Sequence, residues 1–233
     1  GKQPMVCKYQ GCNYVITYNG QIYNCDELRK TLTENGFTFS GHCDTEVLLK
    51  SYIHYGHEVV KHLNGIFAFA IWDESKEEIF LARDHFGVKP LFYSIKNNEI
   101  VFASEIKALF EFPSIYPEVD EKGICELFGI GPAHTPGTTV FKDIYEIKPA
   151  SYAIFRKGYF KTEKYWKLKS KEHKENFEET CKKTEYLLND SITRQLVSDV
   201  PLCTFLSGGL DSSIIKMYAS NFYKKNKKTR LNT

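Results

Sequence analysis

Hydrophobic positions recur along the chain with two periods, and the period changes several times. From Asn13 to Tyr18 an aromatic and β-branched run reads as a strand that ends at Asn19-Gly20, a strong turn signal. Asn24-Cys25-Asp26-Glu27 then looks like an N-cap with an acidic residue three positions on, opening a helix that Gly36 closes. A second helix is predicted from about Asp44 to Tyr55, with Val47, Leu48 and Tyr52 at helical spacing and Gly56 beyond it.

After Gly65 four short β runs follow one another: Ile66 to Trp72, Ile79 to Arg83, Pro90 to Ser94 and Ile100 to Ala103. The intervening loops are so short that the runs are predicted to form one antiparallel meander. Phe67, Phe69 and Ile71 alternate with Ala68 and Ala70, so both faces of that strand are apolar and the sheet must be covered twice. Gly129 to Gly137, with its two prolines, reads as a loop, and Ile144 to Arg156 as further strand broken near Pro149. Asp84 to Gly87 reads as a tight turn with Arg83 tied by ion pairs, and Glu105 as the opening of a short helix.

Lys167 to Glu175 is dense in Lys and Glu and reads as a linker with a solvated surface. Beyond it Phe177, Cys181, Leu188, Ile192 and Leu196 share one helical face, and Pro201 stops the pattern. The chain then runs strand (Leu202 to Leu206), glycine-rich loop (Ser207 to Ser213), and helix to Tyr223.

Composition narrows the classes. With 233 residues the chain can bury a real core in one large or two modest domains. A net charge of +2, with 31 basic residues interleaved among 29 acidic ones, gives no mandate for nucleic acid or an anionic membrane. The run from Ile66 to Trp72 falls far short of the roughly 18 to 20 residues that span a bilayer. A cytoplasmic protein is the expectation. The seven cysteines are odd in number and scattered, which reads as reduced thiols, and none pairs with others at zinc-site spacing.

The segment Ser207-Gly208-Gly209-Leu210-Asp211-Ser212-Ser213 carries the clearest chemistry. Glycines let the backbone approach an anion, the serines add hydroxyl donors, and the following helix aims its N–H groups at the same place. No lysine sits in the turn, so this is not a Walker A loop. It suits an enzyme that holds pyrophosphate as a leaving group, with Asp211 binding the Mg²⁺ that neutralises the phosphates. The bland alternative is a βα corner in which Asp211 or Ser212 merely caps the helix.

SGGLDSS resembles the pyrophosphate loop of the ATP-pyrophosphatase superfamily. The preceding chain resembles the glutaminase domain of glutamine-dependent asparagine synthetases, through YNGQIYN at Tyr18 to Asn24, CDTEVLL at Cys43 to Leu49, LNGIFAFAIWD at Leu63 to Asp73, RDHFGVKPLFY at Arg83 to Tyr93 and FASEIKAL at Phe102 to Leu109. The resemblance implies an α+β unit followed by an α/β unit. The first is an N-terminal-nucleophile hydrolase αββα sandwich without its first strands, over residues 1–166; 167–175 is the linker. Residues 176–233 would then be the start of an adenine-nucleotide α-hydrolase-like synthetase domain with a parallel sheet.

It also implies a division of labour. An Asn side chain and a Gly N–H, here Asn19 and Gly20, stabilise the oxyanion formed when glutamine is hydrolysed through a thioester, with Gln21 extending along the substrate. On spacing alone Asn19-Gly20 is instead a type I′ hairpin turn. Asp44 is read both as a helix N-cap and as the carboxylate that pairs with the α-ammonium of glutamine. Leu206, Ser207, Gly208, Gly209, Asp211, Ser212 and Ser213 are implied to hold ATP and its pyrophosphate, with Mg²⁺ on Asp211. The implied substrates are glutamine, aspartate and ATP: aspartate attacks the α-phosphate to give β-aspartyl-AMP, and ammonia displaces AMP to form asparagine. A homodimer is possible on the same resemblance.

The chain departs from the family at both ends. The family nucleophile is an N-terminal cysteine whose free amine is its base, whereas this sequence begins with Gly1, and an internal cysteine such as Cys7 or Cys12 has no such amine. The expectation is an internal fragment of a longer enzyme, without turnover by itself. Other amide-forming enzymes on this scaffold, or a non-catalytic remnant binding nucleotide or a partner, are the alternatives.

Overall fold

The computed structural model describes residues 2–131, 134–198, 200–227 and 231–232. They fall into two compact units, Gly1–Leu168 and Lys169–Thr233. The first opens with β1 (Met5–Tyr9), β2 (Cys12–Ile22), α1 (Cys25–Glu34) and α2 (Asp44–Tyr55), followed by a 3₁₀ turn over Gly56–Lys61. It continues through β3 (Gly65–Asp73), β4 (Glu78–Arg83), β5 (Phe92–Lys96), β6 (Glu99–Ala103), α3 (Ile106–Leu109) and α4 (Glu121–Ile130), and closes with β7 (Tyr145–Glu146), β8 (Ser151–Arg156) and β9 (Tyr159–Lys164).

Among the described residues the strands form two antiparallel sheets, ordered β1-β2-β3-β4-β8-β9 and β6-β5-β7. The single meander expected from the sequence therefore divides: β3 and β4 belong to one sheet, β5 and β6 to the other. The reason lies in 84–91. Pro90 has no N–H for a ladder. Asp84 and Arg83 also tie that segment into a crossing between sheets rather than a hairpin, which leaves the free edge of β4 for β8.

The requirement that β3 be covered on both faces is met. Phe67, Phe69, Ile71, Phe80 and Ala82 share one core with Leu28 and Leu32 of α1 and Val47, Leu48, Leu49 and Tyr52 of α2. The small side chains between them, Ala68 and Ala70, face the second sheet with Leu81, Leu91, Tyr93 and Phe102. Beyond that sheet Phe92, Val101 and Ala103 pack with Leu109, Ile115 and Ile144. Each of the buried phenylalanines contributes about 1.5 to 3 kcal/mol. The small alanines let the two sheets lie close, and the result is the four-layer αββα arrangement.

Several local expectations change. β2 runs straight through Asn19-Gly20 to Ile22, so no hairpin turn forms there. Asn24 does not cap α1 with its side chain. That carboxamide instead bridges to the loop before β3, donating to the His62 carbonyl and accepting from the Asn64 N–H at 2.9 Å each. Helix α2 spans the predicted Asp44–Tyr55, yet its N-cap is Cys43, so Asp44 is the first helical residue and not the cap. Gly129 lies within α4, and the loop begins at Gly131, with Pro132 and Ala133 outside the described residues.

The second unit contains α5 (Phe177–Arg194), capped by reciprocal bonds between Asn176 and Glu179, and α6 (Leu210–Phe222). Leu196, Ala219, Tyr223 and Leu231 form its small core, with Ile192 packed against them. Of the predicted α5 face, Phe177 and Leu188 are exposed. Leu202 to Leu206 is not a strand. It makes one parallel bridge, Cys203 to Asn232, with Thr204 N–H donating to the Asn232 carbonyl at 3.1 Å. A ladder needs neighbouring strands to propagate, and none is present among the described residues.

Candidate functional site

Strand β2 carries the first group of predicted site residues. Its two-residue period puts Tyr18 and Ile22 into the core under α1 and α2, and turns Asn19 the opposite way, toward the second sheet. There Asn19 lines a cavity of about 310 Å³ between the sheets, together with Gln3, Thr17, Ala68, Ala70, Leu91, Phe102 and Ser104. Asn19 Nδ2 donates to Ser104 Oγ at 3.2 Å, which leaves its second N–H for another acceptor.

Gly20 sits opposite Phe67 where β2 runs close alongside β3. A Cβ there would lie 2.2 Å from the Ile66 carbonyl oxygen and 2.8 Å from Phe67 Cα, and its φ of +157° is one that side-chain-bearing residues rarely adopt. The main chain is aimed as well. Gln3 grips Tyr18 by both of its backbone groups, Oε1 accepting from the N–H at 2.5 Å and Nε2 donating to the carbonyl at 2.8 Å. The period of the strand turns the Gly20 N–H to the same side, past the start of β1.

Asp44, at the first turn of α2, is held against β2 by the residues that flank Gly20. Its Oδ2 accepts from the Tyr18 hydroxyl at 2.8 Å and from the Ile22 N–H at 3.3 Å. Asn19, Gly20, Gln21 and Asp44 are thus brought together around one stretch of strand, with Asp44 at the edge toward which the Gly20 and Ile22 N–H groups point and the Asn19 side chain on the face toward the second sheet. Burial first, and then the Asp44 charge, push the Tyr18 phenol far above its usual range, so it is always a donor here. Cys25, beside Asp44, is pushed up to about 12 by burial and then by that carboxylate, and burial raises the Cys7 thiol. Neither is held as a thiolate near neutral pH.

Beneath the site lies a hub. Asp84, 1% exposed, accepts from the N–H groups of Phe67, Phe86, Val88 and Lys89 at 3.0 to 3.2 Å. It therefore fixes the β3 residue that pairs with Gly20. Arg83 is tied by Glu146 at 2.8 Å, as the expectation of an ion pair required, and also donates to the carbonyls of Gly87, Lys89 and Ile147. Sequence reasoning treated this stretch as a turn and missed Asp84 as an organiser, along with Tyr18, Gln3 and Ser104. The available signal was an Asp followed by a turn glycine three positions on.

In the second unit the predicted seven-residue loop is shorter than expected. Only Ser207, Gly208 and Gly209 precede α6, and Asp211, Ser212 and Ser213 already lie on its first turn. Gly208 has φ +82°. The hydroxyls are turned inward: Ser207 and Ser212 Oγ are 3.1 Å apart, and Ser212 and Ser213 both donate to the Gly209 carbonyl. Leu206, Ser207, Gly208, Gly209, Asp211, Ser212 and Ser213 are all near the surface or exposed. Among the described residues Asp211 belongs to no group of three or more His, Cys, Asp or Glu that could hold a metal. One carboxylate at a helix start fits a Mg²⁺ that takes its other ligands from phosphates and water, not a metal caged by protein.

Residues 1–166 match the model of the glutamine amidotransferase domain, and residues 183–233 match that of asparagine synthase. The chain belongs to the glutamine amidotransferase domain family. It is 49% identical over 233 residues to asparagine synthetase [glutamine-hydrolyzing] 3 of Bacillus subtilis, covering 100% of this chain and 38% of that protein. It is 36% identical over 224 residues to asparagine synthetase [glutamine-hydrolyzing] 1 of the same organism, covering 96% and 35%. The chain therefore spans under two fifths of the length of these curated relatives. Among solved structures, the glutamine phosphoribosylpyrophosphate amidotransferase from B. subtilis, complexed with ADP and GMP, aligns with a TM-score of 0.50 and 22% identity, over 70% of this chain and 32% of that one. That likeness is one of fold: the amidotransferase sandwich. No described helix is long and apolar enough to cross a membrane.

Proposed function

We propose that this amidotransferase unit releases ammonia from glutamine for an ATP-dependent asparagine synthase, whose nucleotide-binding segment begins in residues 176–233. The observation that carries the reading is the tie between Asp44 and the strand bearing Asn19 and Gly20. In this geometry Oδ1 of Asp44, unbonded among the described residues, takes the α-ammonium of glutamine, and the carboxamide reaches toward Asn19 Nδ2 and the Gly20 N–H, with Gln21 alongside. A thiolate adds to the amide carbon, forming a C–S bond and an oxyanion that is met by those two donors; its collapse breaks the C–N bond and expels ammonia, and water then cleaves the resulting thioester to glutamate and thiol. One such donor is worth roughly two to three powers of ten in rate.

In the second unit Ser207, Gly208, Gly209, Ser212 and Ser213 would hold the pyrophosphate of ATP after aspartate takes the adenylyl group, with Leu206 entering the loop. Asp211 would hold Mg²⁺, which supplies charge neutralisation for the phosphates. Ammonia displacing AMP from β-aspartyl-AMP gives asparagine. On this reading the substrates are small molecules, and a cytoplasmic setting goes with it.

The test uses the complete gene product. Asp44→Asn should raise the glutamine KM about 10- to 100-fold and leave ammonia-dependent synthesis intact. Aspartate should drive exchange of labelled pyrophosphate into ATP, and Asp211→Asn should abolish it. An unchanged glutamine KM removes the role of Asp44, and exchange that ignores aspartate removes asparagine as product.

A further inference from the structure

We propose that Tyr18 is a positioning residue of the glutamine pocket, its hydroxyl holding one oxygen of Asp44 so that the other stays turned toward a substrate α-ammonium. This rests on the reading of Asp44 given above. Asp44 has two carboxylate oxygens and only Oδ2 is bonded among the described residues, to Tyr18 at 2.8 Å and Ile22 N–H at 3.3 Å. The second bond is long, and a carboxylate held by it alone can rotate about its Cβ–Cγ bond. The Tyr18 hydroxyl removes that freedom.

Tyr18 is itself immobilised from two directions. Its ring is 9% exposed within the core shared with α1 and α2, and its backbone N–H and carbonyl are both occupied by Gln3. A phenol pinned at ring and main chain transmits the position of β2 to Asp44. Because the next residue is Asn19, the same strand segment sets the separation between the carboxylate and the oxyanion donors. Tyr18 thus makes the pocket selective for amides that carry an α-ammonium at one fixed distance from the carboxamide. A core tyrosine that merely satisfied its own hydroxyl would affect every amide substrate alike, which separates the two roles.

The experiment is Tyr18→Phe in the complete gene product. It is assayed with glutamine, with glutaramate (glutamine lacking its α-amino group), and with ammonia in place of either. The expected result is a glutamine KM raised about tenfold, from loss of one charge-assisted hydrogen bond, with kcat little changed. The glutaramate KM and the ammonia-dependent rate should not move. Equal losses on both amides, or no loss on glutamine, overturn the proposal. Asp44→Asn is run in parallel. If it leaves the preference for glutamine over glutaramate intact, the Asp44 reading itself fails. If it erases the preference while Tyr18→Phe keeps it, only the role of Tyr18 fails. Should Tyr18→Phe not accumulate as folded protein, 3,5-difluorotyrosine at position 18 retains the ring and alters the donor. It must then shift the glutamine KM alone.

Discussion

Replacing Gly20 by alanine tests whether the close approach of β2 to β3 is what shapes the amide site. The added Cβ would meet the Ile66 carbonyl oxygen at 2.2 Å and Phe67 Cα at 2.8 Å, both backbone atoms of the neighbouring strand. Neither can rotate away as a side chain would, so the strands must part by roughly 1 Å near the centre of the larger sheet. Overpacking of this kind costs about 1 to 3 kcal/mol, and a non-glycine residue at this φ adds about 1 kcal/mol or more. The same displacement carries the Gly20 N–H out of line with an oxyanion, which alone should cost roughly 10²- to 10³-fold in kcat for glutamine. Three readouts follow from one variant of the complete gene product. Hydrogen exchange of the β2 and β3 amides should accelerate by about two powers of ten or more, the glutaminase rate should fall, and ammonia-dependent synthesis should survive. If Gly20→Ala protects those amides as well as the native protein and hydrolyses glutamine at the native rate, then the close approach of the two strands is not a constraint. The argument from it would collapse.

Two further predictions concern what supports the site. Glu146→Ala leaves Arg83, 7% exposed, without its carboxylate and should destabilise the first unit by about 3 to 5 kcal/mol in denaturant melts. Glu146→Gln, which still accepts from the guanidinium, should cost less, and equal losses would show that the charge alone carries the interaction and the hydrogen bond the amide keeps contributes nothing. Acid should also weaken this unit through Asp73 and Glu46. Burial pushes the Asp73 carboxyl up, but hydrogen bonds from Ser75 and Lys76 and the Lys76 charge outweigh it and hold the group below its usual range. Burial likewise opposes, and bonds from Lys50, Ser40 and Gly41 reverse, the shift at Glu46. Because both groups are depressed in the fold, their stabilisation is complete above about pH 4.5 and is lost as pH falls through their folded values. Urea melts at pH 7 and below pH 4 should show this loss, and Asp73→Asn should flatten that slope; an unchanged slope excludes Asp73 as a source.

The amino-acid sequence by itself determined the elements whose signals are local. The helix over Asp44–Tyr55 and the two-sided apolar strand at Phe67 to Ile71 both follow from periodicity within a few residues. Family motifs also marked Asn19, Gly20 and Asp44, although local propensity preferred a turn at the first two. Only the tertiary structure decided the rest. β3 and β4 part company with β5 and β6 because Asp84 gathers N–H groups from both β3 and the crossing loop. Asn19-Gly20 stays extended because nine residue pairs bind β2 to β3, and their cooperative ladder outweighs an intrinsic turn preference of about a kcal/mol. Leu202 to Leu206, strand-like by composition, has one bridge because a strand exists only where partners satisfy its backbone. Propensity belongs to a few neighbouring residues, whereas hydrogen-bond satisfaction is settled by whatever the whole fold brings alongside.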